Sequence, residues 1–490
     1  MNKNHANLPS PLLSSVPILT LVFLLFITIR TFGSDALSGG SQIVLLTSTA
    51  VTSMLAMCFC RVKWETIEHA ICHNILGVST AIIILLLIGS LSGSWMVSGI
   101  VPTMIYYGMQ IIHPSFFLAT SCIICAVVSI MTGSSWTTIA TIGVALMGIG
   151  EAQGFPTGWV AGAIISGAYF GDKVSPLSDT TVLASSVTNT PLFSHIRYMS
   201  FTTVPSLVIT LILFVCMGLS HSSAAPTQIE EYTASLKDTF LISPWLMLVP
   251  LATAVLIAKK VPSLITLFVS SVMAGVCAMI CQPELLQEIA GSEVDGSTAI
   301  FKGTFIAYYG STSVDTGNVA LNDLVATRGM SGMLSTIWLI ICAMCFGGAM
   351  QASGMLESLT SLFVRFMKKG LGMVTSTVFS GLFLNLVTAD QYISIILTGN
   401  MFKDVYRQNG YESRLLSRTT EDAVTVTSVL IPWNSCGMTQ STILGVATLT
   451  YLPYCFFNLL SPLMSIFVMA IGFKIKKPIV EKEQCCLDEK

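Results

Sequence analysis

Uncharged apolar runs recur along the whole chain, and they leave few ways for it to fold. They lie near 16–32, 41–60, 74–92, 95–112, 115–131, 136–150, 157–171, 198–219, 241–258, 262–281, 331–350, 371–387, 389–402, 423–450 and 453–473, several interrupted by Gly or Pro. A helix of roughly 20 residues crosses the hydrocarbon core of a bilayer. Runs such as Ile82–Ile88 are continuously apolar, whereas a membrane β-strand alternates over about ten residues. The pattern predicts an all-α polytopic membrane protein with about 11–13 transmembrane segments, some broken or re-entrant.

Charge supports this reading. Charged residues make up 10% of the chain, against roughly 25% in soluble domains. With a net charge of −2 and no basic stripe interleaved with aromatics, nothing suggests a nucleic-acid partner. No Gly-rich loop ending in Lys-Ser/Thr is present to cradle a nucleotide phosphate. The first 15 residues carry one Lys and no cleavage pattern follows the next apolar run, so Val16–Phe32 reads as a first span. The fourteen cysteines, Cys122 and Cys125 among them, read as small packing residues; Cys485 and Cys486 fall in a polar tail. His69, His73 and His113 are dispersed, and no Ser-His-Asp set is visible. The chain is expected to be no enzyme and to need no cofactor.

Basic residues set the orientation. Arg61 with Lys63, Lys259 with Lys260, Arg365 with Lys368 and Lys369, then Lys403, Arg407, Arg414 and Arg418, and finally Lys474, Lys476 and Lys477 are predicted to be cytoplasmic. The loops at 220–240, with Glu230 and Glu231, and at 282–330, with Glu284, Glu288, Glu293 and Asp295, are predicted to face outward. Both termini then lie inside. The organisation reads as N-terminal spans over 1–70, a first repeat over 71–220, external loops and linking spans over 221–330, a second repeat over 331–474 and a cytoplasmic tail over 475–490.

The repeat rests on three likenesses. Thr132-Gly-Ser-Ser-Trp136 ends one apolar run and Thr388-Ala-Asp-Gln-Tyr392 ends another; Gly154 and Gly410 each follow 22 residues after the Thr. Leu177-Ser-Asp-Thr-Thr181 is also similar to Leu416-Ser-Arg-Thr-Thr420. Loop charge places Thr388 near the outside. A re-entrant hairpin over 95–112, with Gly93-Ser94-Trp95 near its tip, would place Thr132 near the inside. Inverted repeats of this kind bind their substrates where broken helices meet.

The richest stretch is 165–185, with Asp172, Lys173 and Asp179 and a run of hydroxyls. Ionisable groups at membrane depth usually mark an ion or substrate path. Pro176 argues for a break between the two acids, and a break frees carbonyls for a hard cation. A carboxylate held away from water can carry a proton or a cation, but not both, which is enough for exchange. The alternative is a structural Asp172–Lys173 pair in a cytoplasmic loop. Asp179 is the first choice for the exchanging acid, with Asp172 and Asp390 next. Asp390 could instead cap the following helix. Ser135, Thr138, Ser178, Thr180, Thr181 and Asn434 are candidate neutral ligands, although small residues also let membrane helices pack closely. Arg418 could pair with Glu421 or Asp422, or one of those acids could join the site. His195 and Arg197 read as interface residues.

Taken together, Thr132-Gly-Ser-Ser-Trp136, Gly171-Asp-Lys-Val-Ser-Pro-Leu-Ser-Asp-Thr-Thr181, Thr388-Ala-Asp-Gln-Tyr392, Ser417-Arg-Thr-Thr-Glu-Asp422 and Pro432-Trp-Asn434 resemble NhaC-type Na+/H+ antiporters over about 70–474. The resemblance implies a bacterial inner-membrane secondary transporter with inverted repeats, re-entrant hairpins and an elevator-like motion, often a homodimer. Its partners would be Na+, with Li+ as a second cation, and H+, with Na+ held in the Asp179 region. The same family includes malate–lactate exchangers, for which Lys173 and Arg418 would be the anion partners or gating groups, with Glu421 and Asp422 beside them. A channel is a third reading, but two related halves in one chain favour alternating access.

Overall fold

The structure is a computed structural model that describes residues 8–32, 39–221, 226–259, 261–291, 296–317, 321–322, 325–365 and 370–473. Lys260, Glu293, Asp295, Lys368, Lys369, Lys474, Lys476, Lys477, Cys485, Cys486 and the 475–490 tail lie outside them. In chain order the helices are α1 (Pro11–Phe32), α2 (Gly40–Cys60), α3 (Trp64–Gly77), α4 (Ser79–Val97), α5 (Ile100–Ile111), α6 (Phe117–Thr132), α7 (Ser135–Thr138), α8 (Val144–Ala152), α9 (Thr157–Val174), α10 (Asp179–Val187), α11 (Leu192–Ser220), α12 (Pro226–Thr239), α13 (Leu248–Ala258), α14 (Ser263–Cys281), α15 (Pro283–Ala290) and α16 (Gly296–Tyr309). They continue as α17 (Leu334–Ala352), α18 (Met355–Arg365), α19 (Leu371–Thr388), α20 (Gln391–Gln408), α21 (Ser413–Thr420), α22 (Ser435–Leu444), α23 (Thr448–Tyr451) and α24 (Phe456–Ile471).

This is a multi-pass helical membrane protein. Among the described residues, 8 helices are long and apolar enough to cross a membrane, or up to 10 if each of two bent pairs is one span. The other runs expected to span differ: α9 and α20 are continuous but carry polar and charged residues, and the runs at 136–150 and 423–450 are split into short helices. Outer helices turn Phe23, Ile212 and Phe268 outward, as lipid-facing surfaces require. The inner helices α6 and α9 pack closely through small residues. An ideal Cβ at Gly167 would lie 2.1 Å from the Cys122 carbonyl oxygen, and Ser129 Oγ donates to the Ala168 carbonyl at 2.6 Å.

Two four-part units share one local geometry at a constant separation of 256 residues. α6 ends at Thr132 and α19 at Thr388. Gly133 and Ala389 follow in the left-handed region, with φ of 67° and 55°. Ser134 and Asp390 are then extended, and each accepts a hydrogen bond from the backbone N–H three residues on, at Thr137 and Ile393. Thr132 and Thr388 both donate to the carbonyl two residues on. α7 and α8, joined by a π-turn over Ile139–Gly143, correspond to α20. α9 corresponds to α21 and its continuation to Leu430, through a π-turn over Glu421–Thr425. Both then break at a proline, Pro176 or Pro432, and restart behind a capping side chain, Ser178 or Asn434.

This register corrects two expectations. The partner of Ser178 is Asn434, not Ser417, which lies inside a continuous helix while Ser178 caps one; identity of letters over five residues misled where proline position and capping did not. Gly93, Ser94 and Trp95 are internal to α4, and the turn comes at Ser98–Gly99, where Gly99 takes φ 80°. Gly93 instead gives the Ala307 carbonyl room to approach.

The two left-handed positions should respond differently to substitution. A Cβ at Gly133 would lie 2.7 Å from Leu177 backbone and side-chain carbons, so Gly133→Ala is expected to destabilise by about 1–3 kcal/mol. Ala389→Gly relieves a strained φ and should be neutral or stabilise by up to about 1 kcal/mol. Thermal unfolding of the purified protein in detergent checks both; equal losses at the two sites would contradict this account.

Candidate functional site

The breaks of the two units meet at one cavity of about 440 Å³. Thr132, Gly133, Ser134 and Trp136 line it from the first break, Leu177, Asp179 and Thr180 from the second, Asp390, Gln391 and Tyr392 from the third, and Ser435 from the fourth. Thr132 and Asp390 therefore face a shared space.

Three carboxylates reach this space: Asp172, Asp179 and Asp390. Asp172 sits near the end of α9, buried, with Oδ2 accepting from the Ser135 hydroxyl at 2.7 Å and the Ser135 amide at 3.2 Å. Asp390 is equally buried. One oxygen caps α20 through the Ile393 amide at 3.0 Å, and the other accepts from Ser435 at 3.2 Å. The capping role and the cavity role weighed from sequence thus coexist in one side chain. Asp179 opens α10 and is exposed, so the two deeper acids are Asp172 and Asp390. Among the described residues no three acidic, His or Cys groups converge tightly enough to chelate a metal ion. The acids are spread around a cavity that can hold a cation with part of its water shell.

The neutral candidates divide. Thr180 lines the cavity, and Ser135 touches it through Asp172. Ser178 caps α10 and meets the Thr180 hydroxyl at 3.0 Å. Thr138, Thr181 and Asn434 hold the breaks shut: Thr138 donates to the Ser134 carbonyl, Thr181 to the Lys173 carbonyl, and Asn434 caps α22 while donating to the Asn385 carbonyl. At the position equivalent to Asp172 stands Ser428, which donates to Gln391, the equivalent of Ser135. The contact survives in the second unit without its charge.

No Lys or Arg among the described residues lines the cavity. Lys173, next to Asp172, points to the other side of α9. It is fully buried and pairs with Asp422, not with Asp172, and it also donates to Ser461 at 2.8 Å. Asp422 takes further hydrogen bonds from Thr202 at 3.1 Å and Ser461 at 3.2 Å. Arg418, counted from sequence among the cytoplasmic basic residues, is fully buried as well. Its guanidinium lies 4.9 Å over the Tyr198 ring and 3.8 Å from the second Asp422 oxygen. His195 is also buried, with Nδ1 2.6 Å from the Ser417 hydroxyl, rather than at an interface. Thr202, Ser461 and Tyr198 were not legible as site neighbours, because ordinary hydroxyls and rings in apolar helices carry no signal until the helices meet.

A second cavity, about 640 Å³, lies at the other ends of the same helices. α4 lends Ile84 to the first cavity and Ile88 and Ser92 to the second; α22 lends Ser435 to the first and Ser441 to the second. Buried Leu85, Ile139 and Met438 occupy intermediate positions on these elements.

The Na+/H+ antiporter family model matches residues 167–473. A Bacillus subtilis protein named Na(+)/H(+) antiporter NhaC is 36% identical over 89% of this chain and 92% of its own length. A protein of the same name from Alkalihalophilus pseudofirmus is 36% identical over 86% and 88%. A Bacillus subtilis protein named malate-2H(+)/Na(+)-lactate antiporter is 36% identical over 80% and 81%.

Removing one partner of the buried Lys173–Asp422 pair strands the other charge. Lys173→Met or Asp422→Asn alone should therefore cost about 3–5 kcal/mol, and the double replacement less than the sum. Thermal unfolding of the three variants decides it; additive losses would mean that the pair is not coupled.

Proposed function

Because the chain belongs to the Na+/H+ antiporter family, we propose that it is a secondary active antiporter exchanging Na+ for H+ by alternating access, with Li+ as a second substrate. The observation that carries this reading is a cavity walled by three carboxylates at the helix breaks, with no basic side chain among the described residues on its lining. Such a wall favours a cation. Asp172 and Asp390 are the deep acids that hold Na+, and Asp179 draws the ion in from the rim. Binding of one ion expels the other, so net flow in one direction requires counter-flow. The Ser134, Ser178, Asp390 and Asn434 breaks let the cavity shift its exposure without dragging unpaired backbone through lipid.

The organic-acid reading finds less support. Its anion partners, Lys173 and Arg418, belong to the cluster around Asp422 and do not line the cavity. For orientation, Ser263, just after the cytoplasmic-type Lys259, lines the first cavity, and the 326–329 segment after the outward loop lines the second. This supports an inner-membrane protein caught with its site facing the cytoplasm.

The test uses purified protein in liposomes with an internal pH dye and an imposed pH gradient. NaCl and LiCl should collapse the gradient while KCl does not. A response confined to sodium malate or lactate would overturn the reading. Asp172→Asn and Asp390→Asn should each abolish exchange in protein that still folds, and Asp179→Asn should raise the Na+ concentration for half-maximal rate. Antagonism between the two ions sets the pH sign: proton loading rises as pH falls and opposes Na+ binding, so that Na+ concentration should rise toward acid pH. A pH-independent value would show that Na+ and H+ binding are not linked.

A further inference from the structure

The face of α21 and its π-turn extension carries charge from the surface into the interior: Arg414, then Arg418, Glu421 and Asp422. Asp422 takes Lys173, Thr202 and Ser461 on one oxygen, Oδ1, and its other oxygen lies 3.8 Å from Arg418. Glu421 beside it is fully buried, and neither of its carboxyl oxygens has a hydrogen-bond partner among the described residues. All three guanidinium nitrogens of Arg418 also lack one. An ionised carboxylate taken out of water without donors loses its hydration with no return, whereas the neutral acid loses far less.

We propose that Glu421 is the proton-carrying group of the exchange cycle, separate from the acids that bind the cation. This rests on the Na+/H+ reading and adds the division of labour. The charged groups acting on Glu421 are Lys173 and Asp172 from α9 and Asp422 beside it, with Arg418 one turn back. α19 and α24, which pack on this turn, bring no ionisable side chain. α10 brings Asp179, and α20 brings Tyr392, Lys403, Asp404, Tyr406 and Arg407.

Coupling then follows from charge. With Asp172 ionised and free of cation, its negative charge favours a proton on Glu421. When Na+ neutralises Asp172, that help disappears, Lys173 and Arg418 dominate, and the proton leaves. Lys173 and Asp172 are neighbours on α9 that point to opposite sides, so one helix end reports the cavity's occupancy to the buried cluster.

The test compares wild type, Glu421→Gln and Glu421→Asp in proteoliposomes with two readouts: Na+-driven proton movement, and exchange of internal Na+ for external 22Na+ at equal pH. Glu421→Gln should retain 22Na+ exchange and lose proton movement, and Glu421→Asp should recover part of it. Retained 22Na+ exchange itself shows a folded, inserted protein. Proton movement persisting in Glu421→Gln would overturn the proposal, and so would loss of both readouts together. If wild type exchanges 22Na+ yet moves no protons with Na+, the Na+/H+ reading fails, which is a distinct result.

Discussion

An interrupted helix at membrane depth is the constraint on which the rest of this protein depends. Each cut exposes backbone N–H and C=O groups that lipid cannot satisfy. Here four cuts are closed by short local devices: a side-chain cap at Ser134, Ser178, Asp390 and Asn434, and threonine hydroxyls folded back at Thr132 and Thr388. The helices that restart behind these caps aim their positive ends inward, where carboxylates are stabilised. The acids and the breaks therefore support one another, and the cavity is where both are tolerated.

The second feature is the separation of charge into two compartments by a single helix. Asp172 and Lys173 are adjacent, yet one faces the cavity through Ser135 and the other faces Asp422, Thr202 and Ser461. On a helix, neighbouring side chains diverge by about 100°, so two consecutive residues can belong to different environments. This keeps basic side chains away from a cation's path while leaving them near enough to act on it electrostatically. The ionic cluster costs desolvation; the hydrogen bonds to Asp422 offset part of it, and Arg418 recovers some through the Tyr198 ring.

Much of this was readable from residues. The motifs at Thr132, Asp172 and Asp390 and the break at Pro176 stand out because polar and charged residues are conspicuous in apolar runs. The repeat was legible as far as Thr132–Gly154 and Thr388–Gly410, since helix length is conserved by the geometry of the turn. It slipped at the last motif, where Ser178 was matched to Ser417. Capping by Ser178 and Asn434 is a shared physical role carried by different letters. The cytoplasmic placement of Arg418 also followed from counting charge in sequence, and the burial of that residue depends on Tyr198 from another helix.

Composition and hydropathy by themselves determined that the chain is helical and crosses the membrane many times, because lipid permits almost nothing else for such apolar runs. Residue type and spacing determined where helices break, because Pro, Gly and hydroxyl caps act within a few residues. Only the tertiary structure decided that four breaks share one cavity, that Lys173 turns away from Asp172, and that Glu421 is buried with no hydrogen-bond partner among the described residues. Those facts depend on contacts between residues dozens to hundreds of positions apart. Local rules of sequence carry no information about such contacts until the helices are packed.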